Sequence, residues 1–403
     1  GEFAKLYQIK QICAFTATAT PQVRKDIKTQ LCRENMNIIA AGFKRPNLAF
    51  AVVPCSRQEN KFAAIRKLLQ KPAPTIIYCA TRKNVEDIAA EFNCIAYHAG
   101  MNDDERKSAQ DMFMNDPCPV LAATNAFGMG IDKPDVRVVI HHDLPDTIEA
   151  YFQEAGRAGR DEQRAFAVLL YDPSQDKAKA RKRVADNYPP EEFLHTVYHK
   201  TCNYLGVGAD SGQGATFFLD VYDLCQKMHL PILTTYSALH LLSQMGYFSF
   251  EEDQEIQPRV QIRVQRRELD NYNLTDAQMA LLESLMREYT GIFTDLQYVR
   301  GIDDQTHKLL VSLAEKRVIS YVSRTVANVL RLTVNRQAEI HVPEHFYSQR
   351  KDHYVDKLKA MVEYADNQLY CRSQLLLSYF GENDAAACGT CDVCRSLNKQ
   401  QKQ

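Results

Sequence analysis

The 403-residue chain carries 49 lysines and arginines against 50 aspartates and glutamates, a formal net charge of −1. No bulk electrostatic field therefore marks it as a nucleic-acid binder, and any such contact must be local. No apolar run approaches the ~20 residues that cross a bilayer and no signal peptide opens the chain, so no membrane partner and a cytoplasmic or otherwise intracellular setting are expected.

The length predicts two to four domains. Ile9 to Thr20 read as a buried strand ending in a threonine-rich turn, followed by a helix from Pro21 to about Leu31 and a short strand from Met36 to Ala41. From Arg45 onward strands and helices alternate. Strands are predicted at Leu48 to Val53, Thr75 to Cys79, Cys94 to Tyr97, Val120 to Thr124, Val136 to His141 and Ala165 to Tyr171. Their continuous apolar character is that of a parallel sheet covered on both faces, so residues 46–175 are expected to be a doubly wound α/β domain.

Ligands of such sheets bind at the carboxyl ends of the strands, where the polar segments Tyr78 to Arg82 and Ala123 to Pro134 fall. Small residues and hydroxyls there let backbone N–H groups, Thr81 or Thr124 approach the phosphates of a single strand. Either threonine can equally cap a helix. His98, in Tyr97-His98-Ala99-Gly100-Met101, reads as a ligand or as a satisfied loop histidine. In Tyr151 to Asp161, a continuous helix would set Arg157 and Arg160 three residues apart on one face, a turn after Gln153, forming a spot suited to a phosphate chain. The alternative is a solvated charged face with tolerated glycines. Gly156 and Gly159 weigh against it, because each costs a helix about 1 kcal/mol relative to alanine.

Basic residues in Gln175 to Asp186 and the glycines around Val207 to Gln213 predict a linker and hinge over 176–215. Helices at Phe217 to Met228 and Thr234 to Met245, then strands at Tyr247 to Phe250 and Val260 to Val264, read as a winged helix at 216–270. Similar grammar at 271–345 predicts a second, tandem unit: a T-x-x-Q capping box at Thr275, a short helix near Thr294, a helix from Asp304 to Lys316, and strands at Val318 to Val322 and Asn328 to Val334. Either unit could contact DNA or a protein partner. Arg259, Arg263, Arg266 and Arg267 on one hairpin favour DNA for the first, and Arg324, Arg331 and Arg336 favour it less for the second.

Eight of the twelve cysteines are scattered and read as reduced thiols. The others form the tail at 346–403. Cys388, Cys391 and Cys394 bring three thiolates over a tight turn, and Cys371 can add a fourth from a preceding helix, giving a closed, structural zinc site with four cysteine ligands. Free thiols, a disulfide or an iron–sulfur cluster are the other readings.

Gln153-Glu154-Ala155-Gly156-Arg157-Ala158-Gly159-Arg160-Asp161 resembles the last motif of superfamily 2 helicases. The segment Thr124-Asn125-Ala126-Phe127-Gly128-Met129-Gly130-Ile131-Asp132-Lys133-Pro134 closely resembles the fifth motif of the RecQ family of ATP-dependent DNA helicases. Phe15 to Ala19 is similar to the third motif, Tyr97 to Gly100 to the family's YHAG segment, and the cysteine tail to its zinc-binding subdomain. This resemblance implies a RecA-like fold for 46–175 and a remnant of a first RecA-like domain at 1–45. It implies 3′-to-5′ DNA unwinding in repair or recombination, with ATP and Mg²⁺ as cofactors and single-stranded or duplex-junction DNA as partner. Arg160 would be the finger reaching a γ-phosphate, with Arg157 and Gln153 beside it. Gly130, Asp132, Thr16 and Thr18 would couple the nucleotide to DNA, and Thr81, Arg82, Thr124, His98 and Gly100 would hold the strand.

The resemblance departs in two places. No G-x-x-x-x-G-K-[ST] loop or acidic Mg²⁺ site occurs in these residues, so the chain is expected to be a fragment that turns over ATP poorly or not at all. About 180 residues also intervene between the helicase core and the zinc subdomain, which in the family directly follows that core. Two other readings are open: a winged-helix and zinc module on a non-catalytic α/β scaffold, binding DNA or protein, and an RNA helicase.

Overall fold

The computed structural model describes residues 6–7, 11–40, 42–117, 119–128, 131–256, 258–288, 297–298, 302–323 and 325–400. The chain divides into two compact units, one of residues 1–184 with 348–403 and one of residues 185–347. No helix among the described residues is long and apolar enough to cross a membrane.

In the first unit the expected strand near Ile9 to Thr20 is not formed. Residues 11–20 are irregular and Phe15 is 93% exposed, because no described strand offers them a ladder and their backbone groups turn to water instead. Residues 36–40 are irregular for the same reason, and Ala41 lies outside the described residues. Between them stands α1 (Pro21–Gln30), capped by the Thr20 hydroxyl. The α/β domain follows in chain order: β1 (Leu48–Pro54), α2 (Gln58–Leu68), β2 (Thr75–Tyr78), α3 (Arg82–Phe92), β3 (Ile95–Tyr97), α4 (Asp103–Asn115), β4 (Val120–Ala123), β5 (Val138–His141), α5 (Ile148–Ala155), β6 (Ala165–Tyr171) and α6 (Pro173–Asn187). The six strands are all parallel, in the order β1-β6-β5-β2-β4-β3, the doubly wound sheet that the apolar runs predict.

One face of this sheet packs under α2 and α3 through Ile65, Val85, Ile88, Ile77 and Ile140. The other face, with Tyr151 of α5, closes on the C-terminal segment of the chain, where Met361, Tyr364, Leu376 and Phe380 are buried. The zinc-type tail is thus a covering layer of the helicase-type sheet, although residues 185–347 separate the two in sequence.

In the second unit, α7 (Glu191–Tyr204), β7 (Thr216–Leu219), α8 (Val221–Met228) and α9 (Ile232–Gln244) lead to β8 (Phe248–Ile256). The helix expected from Phe217 begins only at Val221. Asp220 caps it, and the preceding Phe217-Phe218 pair extends as a strand. The expected linker at 176–215 holds the boundary between the two units, at Val184, and is largely helical, with α7 buried in the second unit's core through Leu194, Val197 and Tyr198. The glycine loop is pinned by Gly214 N–H on Leu332 O at 2.8 Å and Arg336 N–H on Ser211 O at 2.8 Å.

After β8 come β9 (Arg259–Ile262), a 3-10 turn at Arg266–Asn271, α10 (Asp276–Glu288), β10 (Gln297–Tyr298), α11 (Asp304–Glu315), β11 (Ile319–Val322) and β12 (Thr325–Leu332). The Thr275–Gln278 capping box forms as predicted. The helix expected near Thr294 and the side chain of Arg324 lie outside the described residues.

The expected hairpins do not pair as written. β8 pairs antiparallel with β12, in a sheet ordered β7-β12-β8, while β9 pairs with β10 and β11. The two winged-helix-like units are therefore nested rather than tandem, with residues 259–322 inserted between the two strands of the outer wing. Phe248 and Phe250 must be buried beside Leu330 and Leu332, and β12 is the strand that brings those leucines alongside. The remaining elements, α12 (Glu344–Asp366), α13 (Arg372–Tyr379) and α14 (Asp392–Gln400), carry the chain into the cysteine tail.

Phe380 is fully buried between Phe43, stacked at 4.6 Å, and Phe152 at 5.0 Å. Phe380→Ala is expected to cost about 3–5 kcal/mol. Denaturant unfolding followed by fluorescence should show a single lowered transition, since tail and sheet share one core.

Candidate functional site

The carboxyl ends of β2, β4 and β3 are adjacent in the sheet and bring the predicted loops to one edge. Thr81 caps α3, its hydroxyl accepting from Asn84 N–H at 3.1 Å, yet it remains exposed. Thr124 is buried and caps no helix; its N–H donates to Tyr97 O at 3.2 Å, joining the loops after β3 and β4. Arg82 lies across Gly100, where a Cβ would stand 2.9 Å from its Nη1. His98 is a satisfied loop histidine, its Nδ1 accepting from Gly100 N–H at 3.2 Å and its Nε2 3.4 Å from Glu86.

The Thr81 loop is held from below by a residue that the motif reading missed. Asp143, 7% exposed, accepts from Ala80 N–H at 3.0 Å, from Asn84 Nδ2 at 2.8 Å and pairs with His142 at 3.1 Å. Burial alone would raise its pKa, but these hydrogen bonds outweigh burial and hold the carboxyl far below the ordinary carboxylate range. An acid at the carboxyl end of the apolar strand Val138 to His141 was the available signal.

The helix expected through Asp161 stops at Ala155, and Arg157 and Arg160 do not share a face. Residues 156–160 form a turn with Gly159 at φ +63°. Arg45 captures the carbonyls of Gly156, Ala158 and Gly159 at 2.9–3.1 Å, and Asn47 Nδ2 donates to Gly159 O at 2.7 Å. A Cβ at Gly159 would sit 2.6 Å from Asn47 Nδ2 and 2.8 Å from the Gln163 carbonyl oxygen, so a side chain and a backbone both approach this glycine closely.

The turn sends the two arginines apart. Arg157 runs inward, bonded to the buried Tyr78 hydroxyl and so close beneath Gly128 that a Cβ there would meet its Nη2 at 2.6 Å. Arg160 stays at the surface, its Nη1 donating to Ile131 O at 3.0 Å and Asp132 Oδ1 at 2.7 Å. Gln153 Nε2 donates to the Thr18 hydroxyl at 2.6 Å, while Thr16 Oγ1 accepts from Thr18 N–H at 3.3 Å. Gly130 lies outside the described residues.

In the tail, the sulfurs of Cys371, Cys388, Cys391 and Cys394 all lie within 4.8 Å of one another. Tetrahedral zinc with Zn–S bonds of ~2.3 Å requires S–S separations of about 3.8 Å, which small movements supply. The N–H groups of Cys388, Cys391 and Cys394 donate to the sulfurs of Cys371, Cys388 and Cys391 at 3.2–3.4 Å, as thiolates require. Burial raises the Cys388 thiol, but hydrogen bonds with Thr390 and Ser373 outweigh it and bring the thiol down to about 6. The donor set fits a structural zinc ion.

Metal analysis is expected to find about one zinc per folded chain, and Cys391→Ser should abolish it. A folded, unchelated sample without zinc would remove the assignment. Because the folded-state pKa of Asp143 is depressed, its contribution to stability is complete above the unfolded value of ~3.9 and is lost as pH falls below it. Asp143→Asn should therefore lose less stability than the parent chain between about pH 5 and pH 3, measured by urea unfolding.

Residues 60–162 match the helicase conserved C-terminal domain family and residues 332–395 the RecQ zinc-binding family. The ATP-dependent DNA helicase RecQ of Bacillus subtilis is 43% identical over 178 residues, covering 42% of this chain and 30% of that protein. The RecQ-like DNA helicase BLM of Xenopus laevis is 41% identical over 174 residues, 41% of this chain and 13% of that protein. The bifunctional 3′-5′ exonuclease/ATP-dependent helicase WRN of Mus musculus is 39% identical over 187 residues, 43% of this chain and 13% of that protein. The chain spans less than a third of the length of each. The first match lies in the unit that holds the parallel sheet, and most of the second lies in the same unit with the cysteine cluster, so the matched residues form a RecQ-type helicase C-terminal region with its zinc-binding segment.

Proposed function

We propose that this chain is the half of an ATP-dependent 3′-to-5′ DNA helicase that delivers an arginine finger and strand-gripping loops to a nucleotide bound elsewhere in a longer protein. The observation that supports this most is the meeting of three separate motifs at one surface: Thr18 on Gln153 at 2.6 Å and Asp132 on Arg160 at 2.7 Å. The names of the Bacillus subtilis and Xenopus laevis relatives, both DNA helicases, agree with it, and that of WRN gives an ATP-dependent helicase. ATP and Mg²⁺ would be held by a phosphate-binding loop that these 403 residues lack, and DNA repair or recombination is the setting proposed for the unwinding.

Arg160 is 37% exposed and Asp132 81%, so their ion pair contributes at most about 1 kcal/mol. A γ-phosphate offers stronger, charge-assisted contacts and would draw the guanidinium off Asp132, where it stabilises charge on the phosphoryl oxygens in the transition state. Asp132, released at the same moment, gives the loop after β4 a way to register the nucleotide. That loop borders Thr81 and Arg82, whose exposed hydroxyl and guanidinium suit the phosphates of a single strand. Arg157 acts as a positioning residue, because its contacts lock the same loop from beneath. An inert scaffold would have no use for a surface cation held so loosely. The runner-up, a binding module on a silent α/β domain, is weaker for that reason.

In the longer protein, Arg160→Ala is expected to lower DNA-stimulated ATP hydrolysis by roughly 10³-fold while leaving DNA affinity within about twofold. Near-normal turnover in that variant would remove the finger role.

A further inference from the structure

The outer winged helix of residues 185–347 has the complete order of such a module: α7, β7, α8, α9, β8 and β12, with the antiparallel sheet β7-β12-β8. In modules that read DNA, the second helix of the helix-turn-helix, here α9, enters the major groove while flanking lysines and arginines neutralise phosphates. In this one α9 and β8 carry no such cation. No lysine or arginine occurs between Lys227 and Arg259, a span that contains all of α9 and β8. Of the arginines expected to favour DNA, Arg259, Arg263, Arg266 and Arg267 belong to the inserted unit, while Arg331 lies on β12 and Arg336 is engaged with the Val207 carbonyl, both away from α9 in sequence.

What α9 presents instead is apolar. Ile232 is 40% and Leu233 68% exposed, and Tyr236 and His240 follow at successive turns of the same face. Beside this face runs the acidic half of β8, Glu251-Glu252-Asp253, all exposed. The two are fixed to each other. His240 pairs with Glu252 and lies 5.1 Å from the Phe250 ring. The Tyr236 hydroxyl accepts from Asn328 Nδ2 at 3.3 Å, and Asn328 Oδ1 accepts from Asp253 N–H at 3.2 Å. An exposed leucine and isoleucine with a rigid anionic rim repel a phosphate backbone and match a cationic, apolar-tipped surface.

We propose that this face docks a basic segment of a partner protein, with leucine or phenylalanine seated on Ile232, Leu233 and Tyr236 and lysine or arginine against Glu251, Glu252 and Asp253. The module is then a protein-recruiting site, and DNA contact is left to other surfaces of the chain.

The test uses the full chain, titrated by fluorescence anisotropy with a short amphipathic leucine/lysine peptide, its leucine/glutamate counterpart, and labelled duplex DNA. The leucine/lysine peptide is expected to bind and the leucine/glutamate peptide not to. Leu233→Ser, and separately the triple change Glu251→Lys, Glu252→Lys and Asp253→Lys, should each weaken peptide binding at least ~10-fold, the loss of one anchor or of the rim. All four positions are exposed, so unchanged thermal midpoints are expected to accompany both variants. Duplex affinity should be unaltered by Leu233→Ser. Peptide affinity unchanged in either variant, or a tenfold loss of duplex affinity in Leu233→Ser, overturns the proposal, the second result making this a DNA-reading face.

Discussion

Asp392 is the residue through which the first unit closes on itself. It sits inside the cysteine cluster's own sequence, between Cys391 and Cys394, yet its carboxylate turns away from the sulfurs. One oxygen takes the Arg372 Nε at 2.6 Å and the other accepts the Val52 N–H at 3.1 Å, on the exposed edge strand of the parallel sheet. Arg372, 3% exposed, spends its remaining donors on the carbonyls of Tyr364 and Asn367 at 2.7 and 3.0 Å. A buried guanidinium so engaged is tolerable; one that lost Asp392 would be an uncompensated buried charge. Metal cluster, α12, α13 and the sheet edge are thereby one hydrogen-bonded assembly, and capping Val52 also covers an edge that would otherwise invite pairing.

That closure makes the long separation in sequence tolerable. The entropy of closing a loop grows only with the logarithm of its length, about 0.6 kcal/mol per doubling, so residues 185–347 add little to the cost of bringing α12 back to the sheet. The same arithmetic applies one level down, where residues 259–322 separate β8 from β12 and the ladder between them still forms. In both cases the returning element supplies apolar side chains that nothing nearer in sequence replaces: Phe380 and Tyr364 for the sheet, Leu330 and Leu332 for the wing.

Local signals were legible wherever the physics was local. The six parallel strands, the Thr275 capping box and the cysteine spacing follow from apolar runs, side-chain caps and ligand geometry that a few residues define. Pairing partners were not legible, because Tyr247 to Phe250 and Val260 to Val264 look like a hairpin until the burial of Phe248 demands a strand from beyond residue 324. Ile9 to Thr20 has a strand's pattern, and residues 11–20 have no strand's company among the described residues. The motif around Arg157 and Arg160 misled for a related reason: its residue types were informative, but the helix that would align them is ended by Arg45 and Asn47, over a hundred residues upstream.

Under the proposed function, the different settings of the two arginines suit a device that responds once to each nucleotide. Had both remained on one helical face in the open, each would repel the other and neither would be held in register. Instead Arg157 is committed to Tyr78 and the ground beneath Gly128, an arrangement that fixes the loop after β4 whatever the nucleotide state. Arg45, whose guanidinium burial and the nearby Arg160 cation pull below its ordinary range, commits its donors to the turn's carbonyls. Three cations thus crowd one turn: Arg45 is satisfied by its carbonyls, Arg157 keeps a buried Nε without a partner, and Arg160 stays at the surface. Arg160 is left with a single exposed carboxylate and a carbonyl for company, the weakest attachment of the three and the only one of them that a phosphate arriving from solvent could outbid.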